Sequence, residues 1–178
     1  MLAWLLTAAL AAEPPATVEQ VDLERYLGGW YEIASIPAWF QRGCTGTTAE
    51  YSLRDDGKIR VVNTCFDGTL DGRKKVAEGR AKGVPDSNGS KLKVSFFGPF
   101  WGDYWVLGLD EDYQWAVVGS PDRDYLWILS RTPELPPDVY ANTIGIATAR
   151  GFDVTALRAT PQPADARPFP RPATPPGG

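Results

Sequence analysis

The chain has 178 residues, with 18 basic and 22 acidic side chains for a formal net charge of −4, 21 aromatics, 2 cysteines and no histidine. The missing histidine excludes Ser-His-Asp and Cys-His nucleophile systems, imidazole relays and His-ligated zinc, and no cofactor or metal is expected. Lys and Arg are scattered among Asp and Glu, so the electrostatic footprint of a nucleic-acid partner is absent, and the length with 43% apolar residues suits one folded domain.

Residues 1–12 read as a signal peptide. Residues 2–12 are an Ala/Leu-rich apolar run, too short to span a bilayer, that contains an Ala9-Leu10-Ala11 cleavage signal. No cysteine lies near that point, so a periplasmic or secreted protein without a lipid-modified N-terminus is expected. Residues 13–21 are a linker and 22–160 the folded domain. Residues 161–178 carry seven prolines in eighteen positions and are expected to form an extended or disordered tail.

Within the domain, Asp22 caps one helical turn stopped by Gly28-Gly29. Strand patterns follow over 30–36, 45–53, 58–66, 74–84, 91–97, 104–109, 113–119 and 125–131. Their separators are turn-formers, and Asp55-Asp56-Gly57 is a strong hairpin signal. Val139, Thr143, Ile146 and Ala147 recur near helical spacing over 138–150, behind Pro136-Pro137 and ahead of Gly151. Eight strands at this spacing argue for an all-β fold, a sandwich or an eight-stranded antiparallel up-and-down β-barrel with one C-terminal helix packed outside. The last strand favours the barrel: Tyr125, Trp127, Leu129 and Arg131 share one face, Leu126, Ile128 and Ser130 the other, and both are largely apolar. A barrel of this size is either filled by side chains or holds one small ligand.

Gly28-Gly29-Trp30 on the first strand, Arg131 ending the last, Tyr51 to Gly57, Lys93 to Phe100 and Pro121 to Pro133 together resemble the lipocalins, specifically the bacterial Blc type, relatives of plant temperature-induced lipocalins and apolipoprotein D. The resemblance spans roughly residues 22 to 158 and implies an eight-stranded calyx, open at one end, that binds and stores or carries fatty acids, lysophospholipids or similar apolar molecules. It also implies that Trp30 plugs the closed end with Arg131 lying across it, a cation–π contact of about 0.5 to 2 kcal/mol, while Gly28, Trp30 and Arg131 serve closure rather than ligand binding.

Alternation nominates ligand contacts nearer the open end: Tyr51, Val94, Phe96, Tyr104, Val106, Tyr125 and Trp127. Ala49 and Leu53 share the face of Tyr51. Ala77, Gly79 and Ala81 leave room if they point inward; the alternative is a core packed solid by the aromatics. Trp39 and Phe40 lie in the loop after the first strand, which folds over the mouth as a lid in the family the chain resembles. Phe97, Phe100 and Trp101 form a second aromatic group on a turn. Either group could meet membrane lipid, make a weak homodimer of an otherwise monomeric protein, or pack on the barrel edge. Glu32 faces inward if it alternates with Trp30 and then needs a partner, for which Arg80, Lys82 or a tyrosine hydroxyl could serve.

Pairing about Asp55-Asp56-Gly57 sets Cys65 opposite about Thr47, leaving Cys44 about 10 Å away along the strand. A Cys44–Cys65 bridge therefore needs a bulge or fold-back at 43–46; free thiols are the alternative. A binding protein rather than an enzyme is expected, with lipid or isoprenoid conversion on the same barrel, using Glu32 or a cysteine, as the competing reading.

Overall fold

The structure, a computed structural model, describes residues 13–170. The expected signal peptide, 1–12, and the last stretch of the tail, 171–178, lie outside the described residues. Asp22 caps α1 (Leu23–Tyr26) by accepting the backbone N–H groups of Glu24 and Arg25. Eight strands follow: β1 (Gly28–Ser35), β2 (Cys44–Leu53), β3 (Ile59–Asp67), β4 (Lys74–Gly83), β5 (Lys91–Ser95), β6 (Gly102–Leu109), β7 (Trp115–Gly119) and β8 (Leu126–Ser130).

Each strand pairs antiparallel with the next, and β1 closes the ring by pairing with β2 at Trp30↔Ala49 and with β8 at Tyr31↔Ser130. Closure leaves these strands no free edge over that length. Antiparallel order gathers the β1–β2, β3–β4, β5–β6 and β7–β8 connections at one end, the mouth. The opposite end, the floor, is crossed by α1.

Two cores result. One lies inside the barrel and includes Trp30, Tyr51, Val61, Ala81, Val106, Val118 and Leu129, with Trp127 packed against it. The other lies between the outer wall and α2 (Pro137–Ala149), where Leu107, Val117 and Leu126 meet Ala147 and Phe152. Gly108 permits this approach, since a Cβ there would stand 2.9 Å from Ile146. The alternation in the last strand thus puts Trp127 and Leu129 inside and Leu126 under the helix.

Two features add to the expected barrel. A ninth strand, β9 (Arg158–Ala159), pairs with β1 at Ala34 and Ser35, beyond the point where β2 has left it. It satisfies backbone groups that β1 would otherwise leave unpaired. The start of the Pro-rich tail is also docked. Pro161 O accepts from Gly46 N, Tyr31 OH donates to Arg167 O at 2.7 Å, and Phe169 N donates to Arg131 O at 2.8 Å. The Phe169 ring rests 4.6 Å from that of Tyr31 and occupies the space where a Cβ on Gly29 would stand. A segment unable to form its own ladder has completed the edge of someone else's, and the packed unit runs through residue 170.

Candidate functional site

The floor is built from groups that satisfy one another. Arg131 is 1% exposed, with its guanidinium carbon 3.7 Å from the Trp30 ring centroid. It donates to Gly29 O at 2.8 Å, Tyr113 O at 3.2 Å, Arg25 O at 3.1 Å and Tyr26 O at 3.3 Å. Trp30 Nε1 donates to Tyr26 O at 2.9 Å. Burial pushes Arg131 down to about 10, still a cation at neutral pH. The expected closing pair is therefore present, and it also ties α1 and the β6–β7 turn to the barrel.

Above it stand three phenols: Tyr104 OH lies 2.8 Å from Tyr26 OH and 3.1 Å from Tyr51 OH. Burial raises all three, Tyr51 to about 12, where the hydrogen bond to Tyr104 and the Arg131 charge oppose the rise. The space they enclose with Leu23, Leu27, Ile59, Ala81, Leu92 and Val94 is only about 10 Å³, room for about one water. The interior at the phenols is packed, and a pocket of about 100 Å³ lies beside it between α1 and the β2–β3 turn.

Toward the mouth the same inner faces open. Along β4, register places Ala81, Gly79 and Ala77 opposite the inward Ile59, Val61 and Asn63. Ala81 is 2% exposed, whereas Ala77, still on the inner face, is exposed. Ala49, Asn63, Gly79, Phe96 and Trp127 are half-buried. The inner faces are sealed near the floor and exposed toward the mouth. The small residues do face inward, as their alternation implies.

At the mouth, one helical turn over Trp39–Gln41 begins an aromatic ladder. Trp39 packs on Phe40 at 5.6 Å, Phe40 on Tyr125 at 5.5 Å, and Tyr125 stacks on Trp127 at 5.8 Å. Gln41 latches this turn to the wall, accepting from Trp127 Nε1 at 3.0 Å and donating to Glu32 Oε2 at 2.9 Å. Glu32, 6% exposed, also accepts from Ser35 Oγ at 2.9 Å and Thr160 Oγ1 at 2.6 Å. Its expected partners are corrected accordingly: Arg80 and Lys82 alternate to the outer face, where both lie over Trp101.

The nine nominated ligand contacts divide. Val106 is fully buried in the packed half, and Tyr51 and Tyr104 spend their hydroxyls on the phenol cluster. Val94 borders the floor cavity, while Phe96, Trp127, Tyr125, Trp39 and Phe40 follow the hollow half to the rim. Leu53 is 64% exposed beyond the floor and takes no part. Phe97 and Phe100 are each 76% exposed, and Trp101 turns away from them onto β4.

Cys44 and Cys65 are bridged, with Cα atoms 5.4 Å apart. The β2–β3 ladder shifts register between Thr45 and Thr48, the bulge that the hairpin spacing demands. Sequence reading missed Gln41, Thr47, Asn63, Thr160 and Gln162 as mouth-half residues. Asn63 was recoverable, since it interrupts the inward apolar series begun by Ile59 and Val61.

A family model described as a lipocalin-like domain matches residues 21–162. Over 164 residues the chain is 46% identical to outer membrane lipoprotein Blc of Citrobacter freundii, covering 90% of this chain and 92% of that protein. It is 43% identical to temperature-induced lipocalin-1 of Arabidopsis thaliana, covering 82% and 81%. Among solved structures, insecticyanin of the tobacco hornworm Manduca sexta superposes with a TM-score of 0.68 at 25% identity, covering 86% of each chain.

Proposed function

Because the chain belongs to the lipocalin family, we propose that it binds one small apolar ligand in the hollow half of its barrel and stores or carries it outside the cytoplasm. The ligand class is an alkyl chain with a polar end, such as a fatty acid or a lysophospholipid. The observation that carries this reading is the change along β4 from Ala81, sealed in the core, to Ala77, inward yet exposed. An alkyl chain laid along that face gains about 0.8 kcal/mol per buried CH2. Phe96 and Trp127 form its walls, Tyr125, Trp39 and Phe40 its lid. Gly28, Trp30 and Arg131 act only as the stopper.

Binding without turnover is supported over lipid conversion. Both sulfurs are held in the bridge, so neither is a thiolate, and Glu32 is engaged by three neutral donors. The bridge and the apolar run at 2–12 support a periplasmic or secreted site of action. Exposed Trp39, Phe97 and Phe100 offer the mouth for peripheral contact with membrane lipid by a monomer or weak homodimer.

The test is displacement of a fluorescent fatty acid from the purified full chain, with native mass spectrometry of whatever co-purifies. One probe per chain, displaced by lysophospholipid, is expected. A chain that takes up no probe when stripped of lipid contradicts the proposal.

A further inference from the structure

The mouth half of the barrel carries buried polar side-chain atoms without hydrogen-bond partners. Glu32 lies two positions toward the mouth from Trp30 on the inner face of β1, buried, and forms no salt bridge among the described residues. Asn63 stands in the row of Trp30, opposite Ala49, which in turn faces Trp30. Its Oδ1 is buried with no partner. Thr47, on the inner face two positions from Ala49, is 6% exposed, and its Oγ1 is likewise buried and unpartnered. Beside them Gln162 spends its Nε2 on Glu32 O at 2.7 Å and Thr47 O at 3.1 Å, leaving Oε1 as a further buried acceptor without a donor.

Orphaned buried polar atoms are costly, and native interiors carry few of them. Here three lie on β2, β3 and the docked tail, around a carboxylate with no counter-ion among the described residues. Asn63 Oδ1 and Gln162 Oε1 call for a group that donates, and Thr47 Oγ1 can take either role.

Resting on the proposed apolar-ligand reading, we infer that Glu32, Thr47 and Asn63 form a subsite for the donor-bearing end of the ligand, a hydroxyl or ammonium capping an alkyl chain. A carboxylate end is turned away from it. The Glu32 carboxylate, which has no cation beside it among the described residues, repels a second anion. The polar belt thus selects among ligands whose apolar chains are the same.

Displacement of a fluorescent apolar probe by dodecanol, dodecylamine and dodecanoate, equal in chain length, tests this on the full chain. Wild type should favour dodecanol and dodecylamine over dodecanoate by about tenfold or more, an unpaired buried group being worth about that factor. Glu32→Gln should shrink the preference by raising dodecanoate affinity. Asn63→Leu, which keeps side-chain size while removing the acceptor, should shrink it by lowering dodecanol affinity, so the inference stands on two variants if one fails to fold. Equal or tighter dodecanoate binding in wild type, or a preference that neither folded variant alters, overturns the subsite and leaves the binding reading intact. A wild-type chain that takes up no probe overturns both.

Discussion

The two halves of one barrel obey opposite rules. At the floor the buried polar groups satisfy one another: Arg131 donates to four carbonyls, one of which, Tyr26 O, also accepts from Trp30, and three phenols share protons over a space of about 10 Å³. Toward the mouth, the same strands present small side chains, Ala77 exposed among them, and buried polar atoms without partners. The floor supplies the stability that lets the mouth stay open. A cup needs a rigid base because its upper wall buries too little to hold itself closed.

The sharpest break of this contrast is Arg131→Ala. It strands several carbonyls and opens a gap against Trp30, and should cost about 3 to 5 kcal/mol in denaturant unfolding. A loss under about 1 kcal/mol would mean that the stopper is decorative. Next is the disulfide, which closes a loop of 21 residues separation between β2 and β3. The double variant Cys44→Ser with Cys65→Ser should lose about 3 kcal/mol, readable as a lowered midpoint that matches wild type under reducing conditions.

Alkaline titration probes the floor alone. Burial raises the Tyr51 phenol to about 12, and raises Tyr26 and Tyr104 too. In the unfolded chain such phenols titrate near pH 10, so their contribution is fully present below about pH 10 and is lost as pH rises through the folded values. Arg131 runs the other way: its depressed value in the folded state opposes folding below about 10 and eases above it. Three phenols outweigh one guanidinium, so stability should fall between about pH 10 and 12, with their phenolate absorbance appearing only as the chain unfolds. A flat profile across that window would contradict a dry phenol cluster.

A smaller effect separates the halves on a single strand. Ala81→Phe pushes a ring into the packed floor and should destabilise by about 1 to 3 kcal/mol. Ala77→Phe, four residues nearer the mouth, points the same ring into open space and should change stability by less than about 0.5 kcal/mol. Equal losses at both positions would mean that the interior is uniformly filled.

Legibility followed the locality of the signal. The hairpin at Asp55-Asp56-Gly57 set the β2–β3 register by turn chemistry, and strict alternation carried inward and outward faces correctly along β4, β5 and β8. Trp30 and Arg131, about a hundred residues apart, were readable as a pair through the family pattern alone. The bulge beside Cys44 showed itself as a conflict between pairing and bridging distance. What stayed hidden depends on chain far away: Thr160 and Gln162 reach Glu32 across some 130 residues of sequence from a Pro-rich stretch with no periodicity. The docking of Phe169 on Gly29 and Tyr31 had no local signature either, because an extended segment acquires its partners only once the barrel edge exists.

Titrating a fluorescent fatty acid into wild type and Ala77→Phe side by side tests the hollow mouth most directly. The expected result is one probe per wild-type chain and an affinity about tenfold or more weaker in a variant of unchanged stability. Undiminished binding in that variant would place the ligand elsewhere and contradict the division of the barrel into a packed floor and a working cavity.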